Sequence, residues 1–146
     1  MNVIEFKSKC PLYEEIMELR YCTFFKEFGL PKSVTPDALE VDSFYLALLN
    51  KSEILAYGRL SPLGGNDFRI SQIIVPEVHR KNGYATILLE NIIDKAVSLG
   101  ARSAQLNAQV SAQKLYENCG FVESGAPYKV KLTGVEHVKM VITLVT

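Results

Sequence analysis

Apolar positions along the chain follow two spacings, one typical of helices and the other of strands. Between Ala85 and Leu99 they recur three and four residues apart and stop at Gly100, which predicts a long amphipathic helix. Residues 103–109 alternate strictly between polar and apolar side chains, which predicts a strand with one buried face. The two spacings predict, in chain order, helix 13–28, strands 43–49, 53–60 and 68–75, the long helix, strand 103–109, a short helix 112–119 and a final strand 138–145.

Turn residues indicate how these elements connect. Asn50-Lys51-Ser52 separates two apolar runs and predicts a β-hairpin, and residues 62–66 predict the next turn because they contain Pro and two Gly. Residues 31–41 predict an irregular or short helical connection, and a brief strand is expected near 128–132. The order of elements indicates a mixed α/β (α+β) sheet. Its third strand, the long helix and the fourth strand should form one right-handed βαβ crossover.

Composition is typical of a globular domain. The 146 residues are 48% hydrophobic and contain neither a repeat nor a Pro/Gly/Ser-rich linker, so residues 1–146 are expected to form a single domain. The 16 Lys and Arg balance 16 Asp and Glu, so no net charge favours nucleic acid or an anionic membrane as a partner. No apolar run reaches the roughly 18 residues of a membrane helix, and residues 1–9 lack a signal-peptide pattern. We therefore expect a cytoplasmic protein.

The cysteines and histidines argue against a disulfide framework and against a metal site. Cys10, Cys22 and Cys119 are odd in number and lack C-x-x-C spacing, and the chain has only His79 and His137 as histidines. No metal is therefore expected. Cys119 lies on the apolar side of the predicted short helix, which favours a small core residue over a nucleophile.

The segment 73–85 carries the clearest chemical signal. It leads from a strand through a basic loop with Gly83 into the long helix. A helix N-terminus offers free backbone N–H groups and the positive end of its dipole, so a phosphate or pyrophosphate would fit there. The dinucleotide fingerprint G-x-G-x-x-G and the P-loop are both absent from this loop. An ordinary strand–helix turn with solvated Arg80 and Lys81 is the alternative.

Two groups of motifs resemble one known superfamily. Arg80-x-x-Gly83-x-Ala85 is similar to the Q/R-x-x-G-x-G/A motif of the GNAT N-acetyltransferases. Leu106-Asn107-Ala108-Gln109, followed by residues 115–121, resembles the LNAQ and fYekxGF segments of the same superfamily.

The rest of the chain is similar to the ElaA-like branch of that superfamily. The segments that carry this similarity are Leu19-Arg20 with residues 23–27, Asp42, and residues 134–140. Lys129 stands where the branch has a glutamate, which leaves a different charge preference for the substrate open.

The resemblance implies a mostly antiparallel central sheet flanked by helices, in which the crossover forms a cleft for acetyl-CoA. It implies that the strands before and after the long helix splay apart and that pantetheine contacts main-chain groups between them. The residues implied to bind acetyl-CoA are Ile73, Ile74, Val75, Arg80, Lys81, Asn82, Gly83, Tyr84, Ala85, Asn107 and Tyr116. As alternatives, the side chains of Ile73 and Val75 belong to the core and Asn107 faces water.

Two side chains are implied to take part in catalysis. Tyr116 matches the family's general acid, which protonates the departing CoA thiolate, and a packed core tyrosine is the alternative. His137 is a candidate for a general base or a substrate contact, since imidazole exchanges protons near neutral pH, and a structural histidine is the alternative. Many family members carry a glutamate on the strand before the loop, whereas this strand offers only Ser71 and Gln72. The identity of the base is therefore open.

The resemblance implies transfer of an acetyl group from acetyl-CoA, as co-substrate, directly to a primary amine of a small molecule or peptide. The acceptor pocket is expected from residues 19–28, 31–41 and 123–137. Two alternatives are a non-catalytic acyl-CoA-binding regulatory module and a phosphate-ligand domain unrelated to CoA. Whether the chain forms a homodimer is left open.

Overall fold

Eight strands and three α-helices make up the residues that the computed structural model describes, 1–8 and 10–144. The strands are β1 (Asn2–Phe6), β2 (Phe44–Asn50), β3 (Glu53–Gly64), β4 (Asp67–Ile74), β5 (Ser103–Gln109), β6 (Val122–Glu123), β7 (Tyr128–Lys129) and β8 (Glu136–Thr143). The helices are α1 (Pro11–Phe24), α2 (Tyr84–Ser98) and α3 (Gln113–Asn118). Short 3-10 turns lie at Lys26–Phe28, Lys32–Val34, Glu77–His79 and Val110–Ala112.

All the described strands belong to one mixed sheet. Its order is β1-β2-β3-β4-β5-β8-β6, and β7 also pairs with β8. β4 and β5 are parallel and are joined by α2, whereas the other described pairs are antiparallel. The expected fold, a mostly antiparallel sheet flanked by helices with one βαβ crossover, is confirmed.

Helices cover both faces of the sheet because the strands carry apolar side chains on both. Tyr45 packs with Ile16 of α1 on one face, and its neighbour Leu46 belongs to the core cluster on the other face, as the alternation of a strand requires. The buried side chains of α2, which belong to that second cluster, are Leu88, Leu89, Ile92 and Ala96. They recur at helical spacing, as predicted, and the helix is followed by Gly100 in the left-handed conformation (φ 85°).

The first helix is shorter than its apolar pattern predicts. α1 ends at Phe24, and the chain continues in the separate 3-10 turn Lys26–Phe28 before Gly29, whose φ is 72°. The last four residues of the predicted helix, 25–28, are therefore not part of α1. Among the described helices, none combines the length and apolar character that a membrane span needs.

Several strand limits also differ from the sequence expectations. β1 was not predicted because its five residues do not alternate polar and apolar side chains, Val3 and Ile4 being adjacent, and the two-residue β6 has no pattern of its own. β3 continues to Gly64, because Pro62 pairs with Phe68 and shortens the turn predicted over 62–66. The brief strand expected near 128–132 is limited to β7, and Val145 of the predicted last strand lies outside the described residues.

Candidate active site

The parallel strands β4 and β5 pair only at one end. Register partners run from Asp67 with Ser103 to Arg69 with Gln105, and no described pair follows. Beyond that point β4 stays with β3 and β5 stays with β8, so the two strands separate. The expected splay between the strands that flank α2 is therefore present, and it opens a gap in the sheet.

A bulge in β4 lies beside this gap. Tyr57 of β3 pairs with Ile74 and Arg59 pairs with Ser71, which leaves Gln72 and Ile73 without a register partner in β3 or β5. Gln72 has a φ of 61°, a left-handed conformation that is costly for a side chain with a Cβ. The backbone N–H and C=O groups of these two residues are therefore available for hydrogen bonds to a ligand.

Gly58 lies opposite the bulge, where the packing leaves no room for a side chain. A Cβ there would lie 2.6 Å from Cδ1 of Ile73 and 2.6 Å from Cδ1 of Ile92. Because Gly58 has no side chain, Ile73 of the bulge and Ile92 of α2 can both occupy this space.

A cavity of about 570 Å³ occupies the gap, and we call it the cleft. It brings together eight of the residues predicted for the site: Ile73, Ile74, Val75, Arg80, Ala85, Asn107, Tyr116 and His137. Ile73 and Val75 are half-buried, whereas Ile74 is buried among the residues that pack against α1. Asn107 is exposed on β5, past the last pair with β4.

Four predicted residues lie outside the cleft lining, in the loop and first helical position that follow it. Lys81, Asn82 and Gly83 are exposed, and Tyr84 begins α2. The Asn82 amide donates to the carbonyl oxygens of His79 (3.0 Å) and Arg80 (3.2 Å), so it closes the loop on itself. Its side chain is therefore a structural element of the loop in this structure.

The N-terminus of α2 has open N–H groups beside the cleft. Gly83 is the N-cap, with φ 78° and no side-chain cap, and the first helical hydrogen bond runs from the Ile87 N–H to the Gly83 carbonyl (3.2 Å). The preceding helical N–H groups are free to meet an anion, as the sequence predicts. Arg80 donates from Nε to the Val75 carbonyl (3.1 Å), and that oxygen has a second lone pair for another donor.

Tyr116 is buried and also lines the cleft. Its ring packs edge-on against Phe121 at 6.1 Å, and its hydroxyl has no hydrogen-bond partner among the described residues. Burial, with a smaller contribution from Cys119, raises the pKa of Tyr116 to about 12. The phenol is therefore protonated throughout the neutral range, but it is a weaker acid than an exposed tyrosine, so donating a hydrogen bond to sulfur suits it better than complete proton transfer.

His137 lies on β8, opposite Gln109 of β5 and Tyr128 of β7. Its Nδ1 is 3.0 Å from the Val135 carbonyl, and its ring stacks on Tyr128. A carbonyl oxygen can only accept, so this contact places a proton on Nδ1 and leaves Nε2 of the neutral ring as an acceptor. His137 is thus held in a tautomer that can take up a proton.

The remaining histidine lies away from the cleft. Nε2 of His79 is 3.1 Å from Glu53 Oε1, and its ring meets Tyr84 edge-on. Its side chain is 18% exposed and packs beside the loop. No set of three His, Cys, Asp or Glu side chains in the described part of the chain is arranged to hold a metal ion.

Comparison with known proteins identifies the family. The acetyltransferase (GNAT) domain family matches residues 12–144. The chain belongs to this family. A UPF0039 protein of Schizosaccharomyces pombe is 30% identical over 111 residues, which are 74% of this chain and 73% of that protein.

Solved GNAT structures have the same fold. Escherichia coli ElaA superimposes with a TM-score of 0.82 at 18% identity, over 97% of this chain and 98% of that one. An aminoglycoside 6'-N-acetyltransferase complexed with coenzyme A gives a TM-score of 0.80 at 16% identity, over 100% of this chain and 98% of that one. Membership of the family supports acyl transfer from an acyl-CoA to an amine in general terms.

The far side of the cleft in this GNAT chain corresponds only in part to the predicted acceptor pocket. We call this side the acceptor wall, and it consists of Thr23, Phe24, Phe25, Val130, Thr133 and Val135. The wall comes from the end of α1 and from the segment before β8, as expected. Residues 31–41 do not line the cleft, and that part of the prediction is wrong.

The 31–41 connection instead takes part in what we call the buried charged cluster, formed by the buried residues Arg20, Glu40 and Arg59 with Asp37 at its exposed edge. Arg20 donates to both carboxylate oxygens of Glu40 (2.7 and 2.9 Å), and Arg59 donates to both oxygens of Asp37 (2.9 and 2.8 Å). A further bond of 3.2 Å joins Arg59 to Glu40. Both carboxylates of the connection are therefore paired with arginines, and these ion pairs link the connection to α1 and β3.

The charged cluster reaches the bulge through Arg59 and a neighbouring tyrosine. Arg59 Nε donates to Ser71 Oγ at 3.2 Å, and the Tyr57 hydroxyl donates to Gln72 Oε1 at 2.8 Å. Burial raises the pKa of Tyr57, which keeps this donor protonated. With Oε1 so engaged, Gln72 presents its NH2 group as the free end of the amide in the cleft lining.

The sequence analysis did not identify Arg59 and Glu40, whose hydrogen bonds connect the charged cluster to β4 beside the cleft. Arg59 is a charged residue within the otherwise apolar run of β3, and such a position usually indicates a buried ion pair. Asp42, which the family resemblance singled out, is exposed, while Glu40 two residues earlier is the buried carboxylate. Residue spacing alone does not distinguish these two acids.

Proposed function

We propose that this GNAT chain is an acetyl-CoA-dependent N-acetyltransferase that passes the acetyl group directly to a primary amine. The main support is that one cavity joins the open N-terminus of α2, the unpaired bulge of β4 and the side chains of Tyr116 and His137. The balanced charge and the unpaired pattern of cysteines support a cytoplasmic location as part of the same proposal.

The residues present fit acetyl-CoA as co-substrate. The helical N–H groups after Gly83 suit a pyrophosphate, and the unpaired main chain at Ile73 with the second lone pair of the Val75 carbonyl suits the amides of pantetheine. Asn107, whose amide has no partner among the described residues, adds a donor and an acceptor on the opposite strand. Arg80 and Ala85 line the passage between these two parts.

The proposed reaction forms a C–N bond and breaks the C–S bond of the thioester. His137 accepts, directly or through water, the proton that the amine nitrogen loses, since its Nε2 is the free acceptor of the ring. Tyr116 donates a hydrogen bond to the sulfur as negative charge develops there, so CoA leaves as a thiolate while His137 holds the proton lost by nitrogen. Transfer of that proton through water to the thiolate gives the free thiol and returns His137 to its neutral form.

The transfer does not require a nucleophilic side chain. Cys119 is half-buried at the edge of the core, and burial, with a smaller contribution from Glu90, raises the pKa of its thiol. The thiolate, which would be the reactive form, is therefore disfavoured.

Free thiol released from acetyl-CoA in the presence of primary amines tests the proposal. The purified protein is expected to release thiol only when both acetyl-CoA and an amine are present, with the acetylated amine detected by mass spectrometry. Binding of acetyl-CoA without amine-dependent release would favour the non-catalytic acyl-CoA-binding module, which is supported by the lack of a carboxylate among the cleft-lining residues of β4, Gln72 to Ile74. Failure to bind acetyl-CoA would contradict both.

A further inference from the structure

The acceptor wall differs in charge from the rest of the protein surface. Its six residues are two threonines, two phenylalanines and two valines, none of which ionises. Among all the described residues that line the cleft, Arg80, Tyr116 and His137 are the ionisable ones, and none is a carboxylate. The cleft therefore has no fixed negative charge in its lining.

The acidic side chains of the 31–41 connection have partners elsewhere, and Glu27 and Glu136, which are close in sequence to the wall, do not line the cleft. Asp37 and Glu40 are bound by Arg59 and Arg20 in the buried charged cluster. Glu136, which precedes His137, is the register partner of Lys129 on β7. The charges of Lys129 and Glu136 therefore balance each other within the strand pair that borders the wall.

This distribution of charge constrains the amine that can bind. The reacting nitrogen attacks as a neutral amine, so it needs only an acceptor for its proton, and His137 supplies one. A second ammonium group on the same molecule would lose its hydration inside the cleft and find no carboxylate to compensate.

The shape of the wall fits an apolar body instead. The rings of Phe24 and Phe25 meet edge-on with centroids 6.3 Å apart, and Val130 and Val135 add aliphatic surface. Burial of an aromatic or aliphatic group against these side chains is favourable, and the two threonine hydroxyls can meet a neutral polar group.

We infer that the acceptor is a primary monoamine with an uncharged, largely apolar body. The inference rests on the proposed acyltransferase function and names the substrate class of the same cleft. Polyamines, aminoglycosides and lysine-rich peptides are disfavoured because each carries further cationic groups.

A matched pair of amines tests this inference. Hexylamine and 1,6-diaminohexane have the same carbon chain, and only the diamine carries a second ammonium group. At saturating acetyl-CoA, we expect kcat/KM for hexylamine to exceed that for the diamine by about tenfold or more, given the cost of an unpaired charge in a neutral site. Phenethylamine and spermidine extend the comparison to an aromatic monoamine and a polycation.

Installing a carboxylate in the wall sharpens the test. Val130→Asp should raise kcat/KM for the diamine relative to hexylamine, because the new carboxylate pairs with the second ammonium. Leu132→Asp is the control, since Leu132 is 52% exposed and does not line the cleft, and it should leave the ratio unchanged. Thr133→Asp, which is nearly isosteric, serves the same purpose if Val130→Asp melts well below the parent.

Each outcome assigns the failure to one claim. Diamine or spermidine turnover equal to or faster than that of the monoamines overturns the inference and leaves the acyltransferase function intact. An unchanged ratio in both carboxylate variants likewise overturns it. Acetyl-CoA binding with no thiol release for any of the four amines, nor for a wider panel of primary amines, overturns the proposed function itself.

Discussion

The buried charged cluster and the cleft differ in whether their polar groups have hydrogen-bond partners within the protein. In the cluster, the guanidinium groups of Arg20 and Arg59 are bound to the carboxylates of Glu40 and Asp37. In the cleft, the Tyr116 hydroxyl and the N–H groups at the start of α2 have no protein partner among the described residues. These donors have no protein acceptor to compete with a ligand, so the second arrangement leaves them available to a molecule bound in the cleft.

Hydrogen bonds between β3 and β4 also connect the two regions. The hydrogen bonds from Arg59 to Ser71 and from Tyr57 to Gln72 connect the cluster to the bulge that borders the cleft. The ion pairs of the cluster therefore help to fix the position of the β4 bulge, although the acceptor wall of the same cleft has no charged side chain. The comparison predicts that changes in the cleft alter turnover, whereas changes in the cluster alter stability.

Tyr116→Phe should give the largest effect on chemistry. It removes the hydroxyl and keeps the packing of the ring, so we expect turnover at saturating acetyl-CoA to fall by about 10²–10⁴-fold while acetyl-CoA affinity stays nearly the same. Tyr21→Phe is the control, because its hydroxyl donates to the Leu30 carbonyl outside the cleft. Turnover equal to that of the parent would remove Tyr116 from the mechanism, and a large fall in Tm would indicate a structural role.

Glu40→Gln should give the largest effect on stability. It leaves two buried guanidinium groups with only Asp37 to compensate them, so we expect a loss of about 3–5 kcal/mol in the free energy of unfolding. Asp42→Asn removes a nearby exposed carboxylate and should change stability little. Denaturant titration of the three proteins checks this, and equal losses in both variants would contradict a special role for the cluster.

Acid should weaken the cluster in a defined pH range. Burial alone would raise the pKa of Glu40, but hydrogen bonds from Arg20, the Asp37 N–H and Tyr45 hold it well below the ordinary value of 4.5. The stabilisation is therefore complete above about pH 4.5 and is lost as the pH falls from there towards the folded-state pKa. Measured from pH 7 to pH 3, the Tm difference between the parent and Glu40→Gln should shrink below about pH 4.5, and a constant difference would contradict the assignment.

Cys119→Ala should give the smallest effect. The thiol lies at the edge of the core and its raised pKa disfavours the nucleophilic form, so amine-dependent thiol release is expected to persist at a rate close to that of the parent. Mass spectrometry of the parent after incubation with acetyl-CoA provides the second measurement. An acetyl group on Cys119 that passes to an added amine would replace direct transfer with a covalent mechanism.

The sequence predicts best what depends on local spacing. α2 and β5 were predicted because their apolar side chains recur at one period over a whole element, and the loop between β4 and α2 was found from its basic residues and Gly83. β1 and β6 depend on pairing with distant strands, and their own residues are too few to form a pattern.

In the candidate site too, the features that depend on local sequence were predicted and those that depend on tertiary contacts were not. Arg80, Asn107, Tyr116 and His137 were singled out by motif resemblance, and they do line one cleft. The bulge at Gln72 depends on register across β3, which local sequence does not specify. Residues 31–41 were expected to form part of the acceptor pocket, but the pairing of Glu40 and Asp37 with arginines from α1 and β3 is set by tertiary contacts.

Titration calorimetry with acetyl-CoA tests the central claim most directly, namely that the cofactor binds at the junction of the cleft and α2. Gly83→Glu places a carboxylate at the open N-terminus, where it should block the pyrophosphate. Gly100→Glu is the control at the other end of the helix, because both glycines have positive φ (78° and 85°) and no heavy atom within 4 Å of an added Cβ. We expect the parent and Gly100→Glu to bind with similar Kd and Gly83→Glu to lose affinity by about 100-fold or more, given the charge repulsion and lost N–H contacts. Equal affinity in all three proteins would contradict the placement of acetyl-CoA.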